Sequence, residues 1–164
     1  MNDMSITIPQ RAVDAVVIET RSYGNRLLET GGFLLAPTGS DSVNGVVVAG
    51  ELGILRRHNL FQISERALDR LFTYADESGF WIPVQFHSHR FGAFMSNTDA
   101  EHGLRVEGFV STIVPQFSHP PGDVGSWGWW QFQHGDWRPC LSAAIHDGEP
   151  AAALVFDESG VHER

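Results

Sequence analysis

Phe86-His87-Ser88-His89-Arg90-Phe91-Gly92-Ala93-Phe94-Met95-Ser96-Asn97-Thr98-Asp99 holds two histidines one residue apart, then a serine and an aspartate three apart. Residues 81–88, with Pro83 near their start, read as a strand. Side chains alternate faces along a strand, so His87 and His89 point the same way and Val84 and Phe86 point the other. Histidine and aspartate are zinc ligands, and three protein ligands leave a fourth position open for water. An open zinc site is usually hydrolytic. Ser96 and Asp99 also fit a second role. Ser-x-x-Asp before a helix is a capping box, with Ser96 as N-cap and Asp99 near the third position. An aspartate reaching back to a cap is not free to bind an ion, and both readings stay open here. His102, one helical turn after Asp99, is a spare candidate ligand or an ordinary helix-surface residue.

The rest of the chain can be read outward from this stretch. A helix over 97–106 and a buried strand over 108–114 follow it. Before it, Ser64 opens a helix whose apolar face is Leu68, Leu71, Phe72 and Ala75, with Ile63 and Leu68 spaced as a hydrophobic staple and Gly79 as C-cap. Further upstream come a short strand over 5–8, a helix from Pro9 through Val13, Val16, Val17 and Thr20 to Gly24, and strands over 32–36 and 46–49. Arg56-Arg57 reads as a solvated turn. Residues 115–128, rich in Pro, Gly, Ser and His, read as a mobile surface loop. Hairpins are expected over 129–137 through His134-Gly135 and over 143–156 through Asp147-Gly148. Mixed strands and helices around one sheet make the fold class α/β (α+β).

Composition narrows the function classes. The 164 residues suggest one domain spanning 1–164, and 42% hydrophobic residues suffice for a sizeable core. Lys+Arg 11 against Asp+Glu 20 gives a net charge of −9, which argues against a nucleic-acid-binding surface. The single cysteine, Cys140, excludes a disulfide within the chain and reads as a small buried hydrophobe. No segment approaches the apolar length of a membrane span, and Met1 to Pro9 lacks the charge and apolar run of a signal peptide. A cytoplasmic protein with no membrane partner is expected.

Glu29-Thr30-Gly31-Gly32-Phe33-Leu34-Leu35 lies nearly sixty residues before the histidines. Taken with His-Ser-His and Ser-x-x-Asp, it resembles the JAMM (MPN+, Mov34/PAD-type) zinc metallopeptidases, and looks closest to their short prokaryotic members. Four separated elements agree in type and order over most of the chain. The resemblance implies a cytidine-deaminase-like JAMM/MPN fold, with a single mixed sheet flanked by helices. It implies His87, His89 and Asp99 as ligands of one zinc ion per chain, Glu29 as the acid–base residue, and Ser96 as stabiliser of the oxyanion. The implied reaction is hydrolysis of an amide or isopeptide bond after the C-terminal tail of a ubiquitin-like protein. The implied setting is a bacterial conjugation or antiphage system with E1- and E2-like partners.

The chain departs from the family's pattern at the rim. Arg90 stands where a proline follows the second histidine, and the spacer Arg90 to Met95 is one residue short. Arg90 is either a substrate contact or an exposed structural residue. An extended Gly-rich tail would bind in a groove walled by residues 52–62 and 115–128. Two other functions compete with a deubiquitinase-like peptidase: a weak or inactive MPN interaction module, and a peptidase that processes a sulfur-carrier protein.

Overall fold

A computed structural model describes residues 6–146 and 151–164. In chain order the elements are β1 (Thr7–Pro9), α1 (Gln10–Gly24), β2 (Gly31–Pro37), β3 (Gly45–Ala49), β4 (Ile54–Arg57), β5 (Leu60–Ile63), α2 (Glu65–Ser78), β6 (Phe80–Ser88), α3 (Asn97–His102), β7 (Val110–Val114), β8 (Gly128–Gln133), β9 (Asp136–Pro139), β10 (Ala144–His146), β11 (Ala152–Asp157) and β12 (Gly160–Glu163). Eight strands form one mixed sheet in the order β12-β11-β3-β2-β6-β7-β8-β9. Two short ribbons, β1-β10 and β4-β5, accompany it.

Strand alternation divides the core into two clusters, one on each face of the sheet. Leu34, Val46, Val48, Val84, Phe86 and Val110 pack with Ala12, Val13 and Val16 of α1. Phe33, Leu35, Val47, Ala49 and Phe156 pack with Ala67, Leu71 and Ala75 of α2. Helix α2 has the ends its sequence predicts. Ser64 Oγ accepts the Ala67 N–H, and Gly79 closes the helix at φ 75° in the left-handed region. The strand carrying the histidines lies at the centre, antiparallel to β2 and parallel to β7. Phe86 joins the core on the α1 face, so His87, at the C-terminal end of β6, points to the α2 side.

Four expectations are corrected. The helix after Ser96 stops at His102 rather than near residue 106: Gly103 leaves the helix in extended conformation, φ −67° and ψ 161°, and the Trp137 ring packs against it, 2.9 Å from where a Cβ would lie. Arg56-Arg57 is no turn: it ends β4, and the Arg56 guanidinium is half-buried. Its Nε donates to Thr30 Oγ1 at 3.1 Å, its Nη groups donate to the carbonyls of Gly50 and Ala49, and it lies 4.0 Å above the Tyr23 ring. Residues 115–128 are packed rather than loose. Phe117, Val124 and Trp127 are buried, Trp127 stacks on Trp129, and the two indole N–H groups donate to Pro121 O and Val124 O. The expected 143–156 hairpin does not form. β10 pairs in parallel with β1 and β11 in parallel with β3, where Val155 faces the α1 cluster and Leu154 and Phe156 face the α2 cluster. Its Asp147-Gly148 turn lies outside the described residues. The hairpin through His134-Gly135 forms, with both turn residues at positive φ.

Candidate metal centre

Three segments meet at the end of β6. Gly31 pairs with His87 across β2 and β6, which sets Glu29, two residues before Gly31, beside the histidines. The two glycines are needed for this approach. A Cβ at Gly31 would lie 2.5 Å from Phe86 O, 2.7 Å from the Phe61 ring and 2.9 Å from His87 Cβ. One at Gly32 would lie 2.2 Å from Val47 O. Hydrogen bonds then lock the segments together. Ser88 N donates to Thr30 O, Thr30 N donates to Ser88 Oγ, and His89 N donates to Val114 O, all at 2.9 Å. Glu29 N donates to Arg57 O at 2.8 Å, tying in the β4-β5 ribbon.

The side-chain geometry is tight. His87 Nε2 and His89 Nε2 lie 3.1 Å apart. The Asp99 carboxylate spans both, with Oδ1 at 3.1 Å from His87 Nε2 and Oδ2 at 3.0 Å from His89 Nε2. Glu29, His87 and His89 are each 6% exposed, and each brings a donor atom within 4.8 Å of the other two. Zinc–nitrogen bonds of 2.0–2.1 Å in a tetrahedron put ligand atoms about 3.3 Å apart. The spacings among the two imidazoles and Asp99 match that edge. Two facing imidazole nitrogens against one carboxylate are satisfied together by a cation, so the donor set fits a zinc ion. Phe61 stacks on His87 and Phe94 packs edge-on against His89, which fixes the ring planes.

Ser96 and Asp99 do form the capping box. Ser96 Oγ accepts from Asp99 N at 3.1 Å, and Asp99 Oδ2 accepts from Ser96 N at 2.9 Å. The same carboxylate faces both histidines, so forming the cap does not turn it away from them. The cap aims the carboxylate. The short spacer is accommodated by bonds to the segment after β7: Gln116 N donates to Phe91 O and Phe117 N to His89 O, each at 3.0 Å. His102 is exposed and lines the same small pocket as His87 and Asp99, and it is not in the group of Glu29, His87 and His89 whose donor atoms converge. Cys140 is half-buried and remote from the centre, and burial pushes its thiol up to about 11.

Electrostatics follows burial. Burial pushes the Glu29 carboxyl up to about 8, with the Asp99 charge reinforcing and the His89 charge opposing it. Burial works against the charge on Asp99, but hydrogen bonds from His87, His89 and the Ser96 backbone outweigh it and hold the group well below the carboxylate range. Burial also opposes the charged form of His89, and the bond to Asp99 overcomes it, so His89 lies above its ordinary value.

Sequence reading missed three positioning residues. Ser88 clasps Thr30, Arg56 holds Thr30 from behind, and Phe61 stacks on His87. Only the placement of Ser88 between the histidines hinted at any of them. A cleft of about 840 Å³ runs from Ile63, Ser64 and Leu68 to Phe61, Gln85 and His102, and the last three also border the site. Gly53, Ile54, Leu55, Phe61 and Gln62 line one side of it. The opposite wall is Glu101, His102 and Leu104 rather than residues 115–128, whose apolar side chains are spent in the core.

No family model matches the sequence, and no curated protein matches it. Solved structures do match. A protein from Desulfitobacterium hafniense superposes with a TM-score of 0.64 at 16% identity, covering 89% of this chain and 94% of the other. A JAB1/MPN domain protein from Archaeoglobus fulgidus gives 0.53 at 14%, covering 87% and 98%. A structure described as a JAMM metalloprotease-like zinc site in the proteasome and signalosome gives 0.51 at 14%, with the same coverages. The mixed sheet flanked by helices is the JAB1/MPN fold. Among the described residues, no helix is long and apolar enough to cross a membrane.

Proposed function

We propose that this chain is a zinc-dependent peptidase or isopeptidase that cleaves after the C-terminal tail of a ubiquitin-like protein, in the cytoplasm. One observation carries the reading: two buried imidazoles and a carboxylate converge within 3.1 Å contacts, with a second, buried carboxyl group, Glu29, alongside. His87, His89 and Asp99 would hold the metal. A zinc ion held there would supply Lewis acidity, to lower the pKa of water toward neutrality and polarise the scissile carbonyl.

The chain's own groups supply the proton transfers. Glu29 accepts a proton from the attacking water and passes it to the leaving amine. A buried carboxyl group beside the two imidazoles is placed for both steps. Ser96 Oγ accepts one hydrogen bond, from Asp99 N, and keeps its own hydrogen to donate to the oxyanion that develops on the substrate. The cleft favours an extended peptide. Among the described residues β5 pairs only with β4, leaving its other edge open to an added strand, and Phe61, Gln62 and Ile63 line the cleft. Small Gly-Gly residues suit the narrow end beside Phe61.

The test pairs metal analysis with cleavage of ubiquitin-like and sulfur-carrier proteins fused after their Gly-Gly tails. Wild type should carry about one zinc per chain and cleave at least one fusion. Glu29→Ala should keep the zinc and lose about 10³-fold or more in rate. Asp99→Ala should lose the zinc. Undiminished cleavage by Glu29→Ala would sink the mechanism, and zinc with no cleavage of any fusion would leave an interaction module.

A further inference from the structure

Beside the metal centre lies a second, shallower depression of about 480 Å³, lined by Leu27, Leu28, Arg56, Arg57, His58 and Arg90. None of the lining residues is acidic, although the chain as a whole carries a net charge of −9. Its position is set by the site itself. Leu28 precedes Glu29, Arg57 O accepts the Glu29 N–H, and Arg90 follows His89. Arg56 is committed to Thr30, to the backbone carbonyls of Ala49 and Gly50, and to the Tyr23 ring. Arg57 and Arg90 are exposed and form no ion pair among the described residues, and Arg90 rests only on the Phe91 ring.

A second feature marks the same place. Helix α1 ends in a Schellman arrangement, with Leu28 N donating to Tyr23 O and Leu27 N to Gly24 O. The left-handed position belongs to Leu27 at φ 59°, where glycine is the usual occupant. The strained backbone presents a half-exposed leucine at the edge of the depression, and such strain commonly sits at binding sites.

We propose that this depression is a substrate subsite that binds a carboxylate through Arg57 and Arg90, selecting substrates with an acidic residue or a chain terminus next to the scissile bond. The inference rests on the peptidase reading above. Guanidinium groups bind carboxylates in bidentate fashion, and two unpaired ones beside an apolar residue suit an acidic peptide. A phosphate backbone would meet a strongly acidic chain with only this small basic area.

The experiment uses short peptides and full-length protein. Capped, amidated Gly-Gly peptides with two glutamates are compared with their glutamine counterparts, and with a neutral peptide whose only carboxylate is its C-terminus. Binding is measured on metal-loaded Glu29→Gln protein, so that turnover does not interfere. The glutamate peptide should bind about fivefold to tenfold tighter than the glutamine one, with the ratio falling as salt rises. In the Arg57→Ala/Arg90→Ala double variant the ratio should fall to about one, while Arg138→Ala, on the distant edge strand β9, should leave it as it was. Tighter binding of the free-terminus peptide instead supports the same subsite and assigns its carboxylate to a chain end. A ratio of one in the unmutated depression, with no tighter binding of the free-terminus peptide, overturns the inference, as does preferential binding of a single-stranded oligonucleotide. The same ratio, read as cleavage rates on wild type, separates the two claims. Cleavage without acid preference sinks the subsite alone. Acid-selective binding with no cleavage sinks the peptidase reading alone.

Discussion

The two segments that build the candidate metal centre are fixed by different physics. Residues 29–32 are placed by the absence of side chains: Gly31 and Gly32 let β2 approach Phe86, His87 and Val47 more closely than any Cβ permits. Residues 86–99 are placed by hydrogen bonds, in the clasp of Ser88 and in the capping box that aims Asp99. The first segment answers to volume and gives little, because packed backbone has nowhere to move. The second answers to polar partners and is open to graded damage. Substitutions on the two sides should therefore differ in size and in what they disturb.

The largest effect is expected at Gly31. A methyl group there meets backbone oxygen at 2.5 Å and the His87 Cβ at 2.9 Å, neither of them the loose end of a flexible chain. Gly31→Ala should destabilise by about 3 kcal/mol and scatter the ligand geometry, lowering zinc content as well as melting temperature. Gly122→Ala is the internal control. Nothing lies within 4 Å of its Cβ position, and its φ lies outside the left-handed region, so it should be neutral or slightly stabilising. Equal effects at the two glycines would refute the steric account of the first segment.

Titration should separate the two segments in the metal-free protein. The folded-state value of Glu29 is raised from 4.5 to about 8. Its contribution to stability is thus fully present below pH 4.5 and is lost as pH rises toward 8. Asp99 is depressed, so its contribution is present above about pH 3.8 and is lost as pH falls through its lower folded value. His89 is raised, so its share is present below about 6.5 and lost above. Denaturation midpoints in a chelator should fall from pH 4.5 upward in wild type. In Glu29→Gln that early fall should vanish, leaving the His89 decline above 6.5 and the acid loss from Asp99. Parallel curves for the two proteins would show that Glu29 is not a buried, proton-holding group.

How much of this was legible in the sequence follows the same division. The capping box, the α2 caps, the His134-Gly135 hairpin and the alternation of β6 are local patterns, and local chemistry decides them. Arg56-Arg57 looked like a solvated pair because burial of a guanidinium depends on Tyr23, Thr30 and two carbonyls brought in from elsewhere. Residues 115–128 looked loose because turn-rich composition hides the buried faces of Phe117, Val124 and Trp127. The pairing of β10 with β1 joins residues well over a hundred positions apart in sequence, and no local pattern records that. For Asp99 the sequence offered cap or ligand as alternatives. One carboxylate has several lone pairs, and in the structure they meet both the Ser96 N–H and the two imidazoles.

The smallest effect, and the finest test of the second segment, is at Ser88. The residue is fully buried, and its hydroxyl accepts the Thr30 N–H at 2.9 Å and approaches Thr30 O at 3.3 Å. Ser88→Ala barely changes volume, so packing around β6 should survive. It leaves the Thr30 N–H buried without a partner, which should cost about 1–2 kcal/mol. The direct bond from Ser88 N to Thr30 O remains, so the two segments stay in register. The loss should fall on the position of Glu29, one residue from Thr30, and not on the ligands. The expected signature is a lower cleavage rate with zinc content unchanged. A variant that loses zinc instead would mean that Ser88 orients the histidines on either side of it, and that the polar clasp belongs to the ligand strand alone.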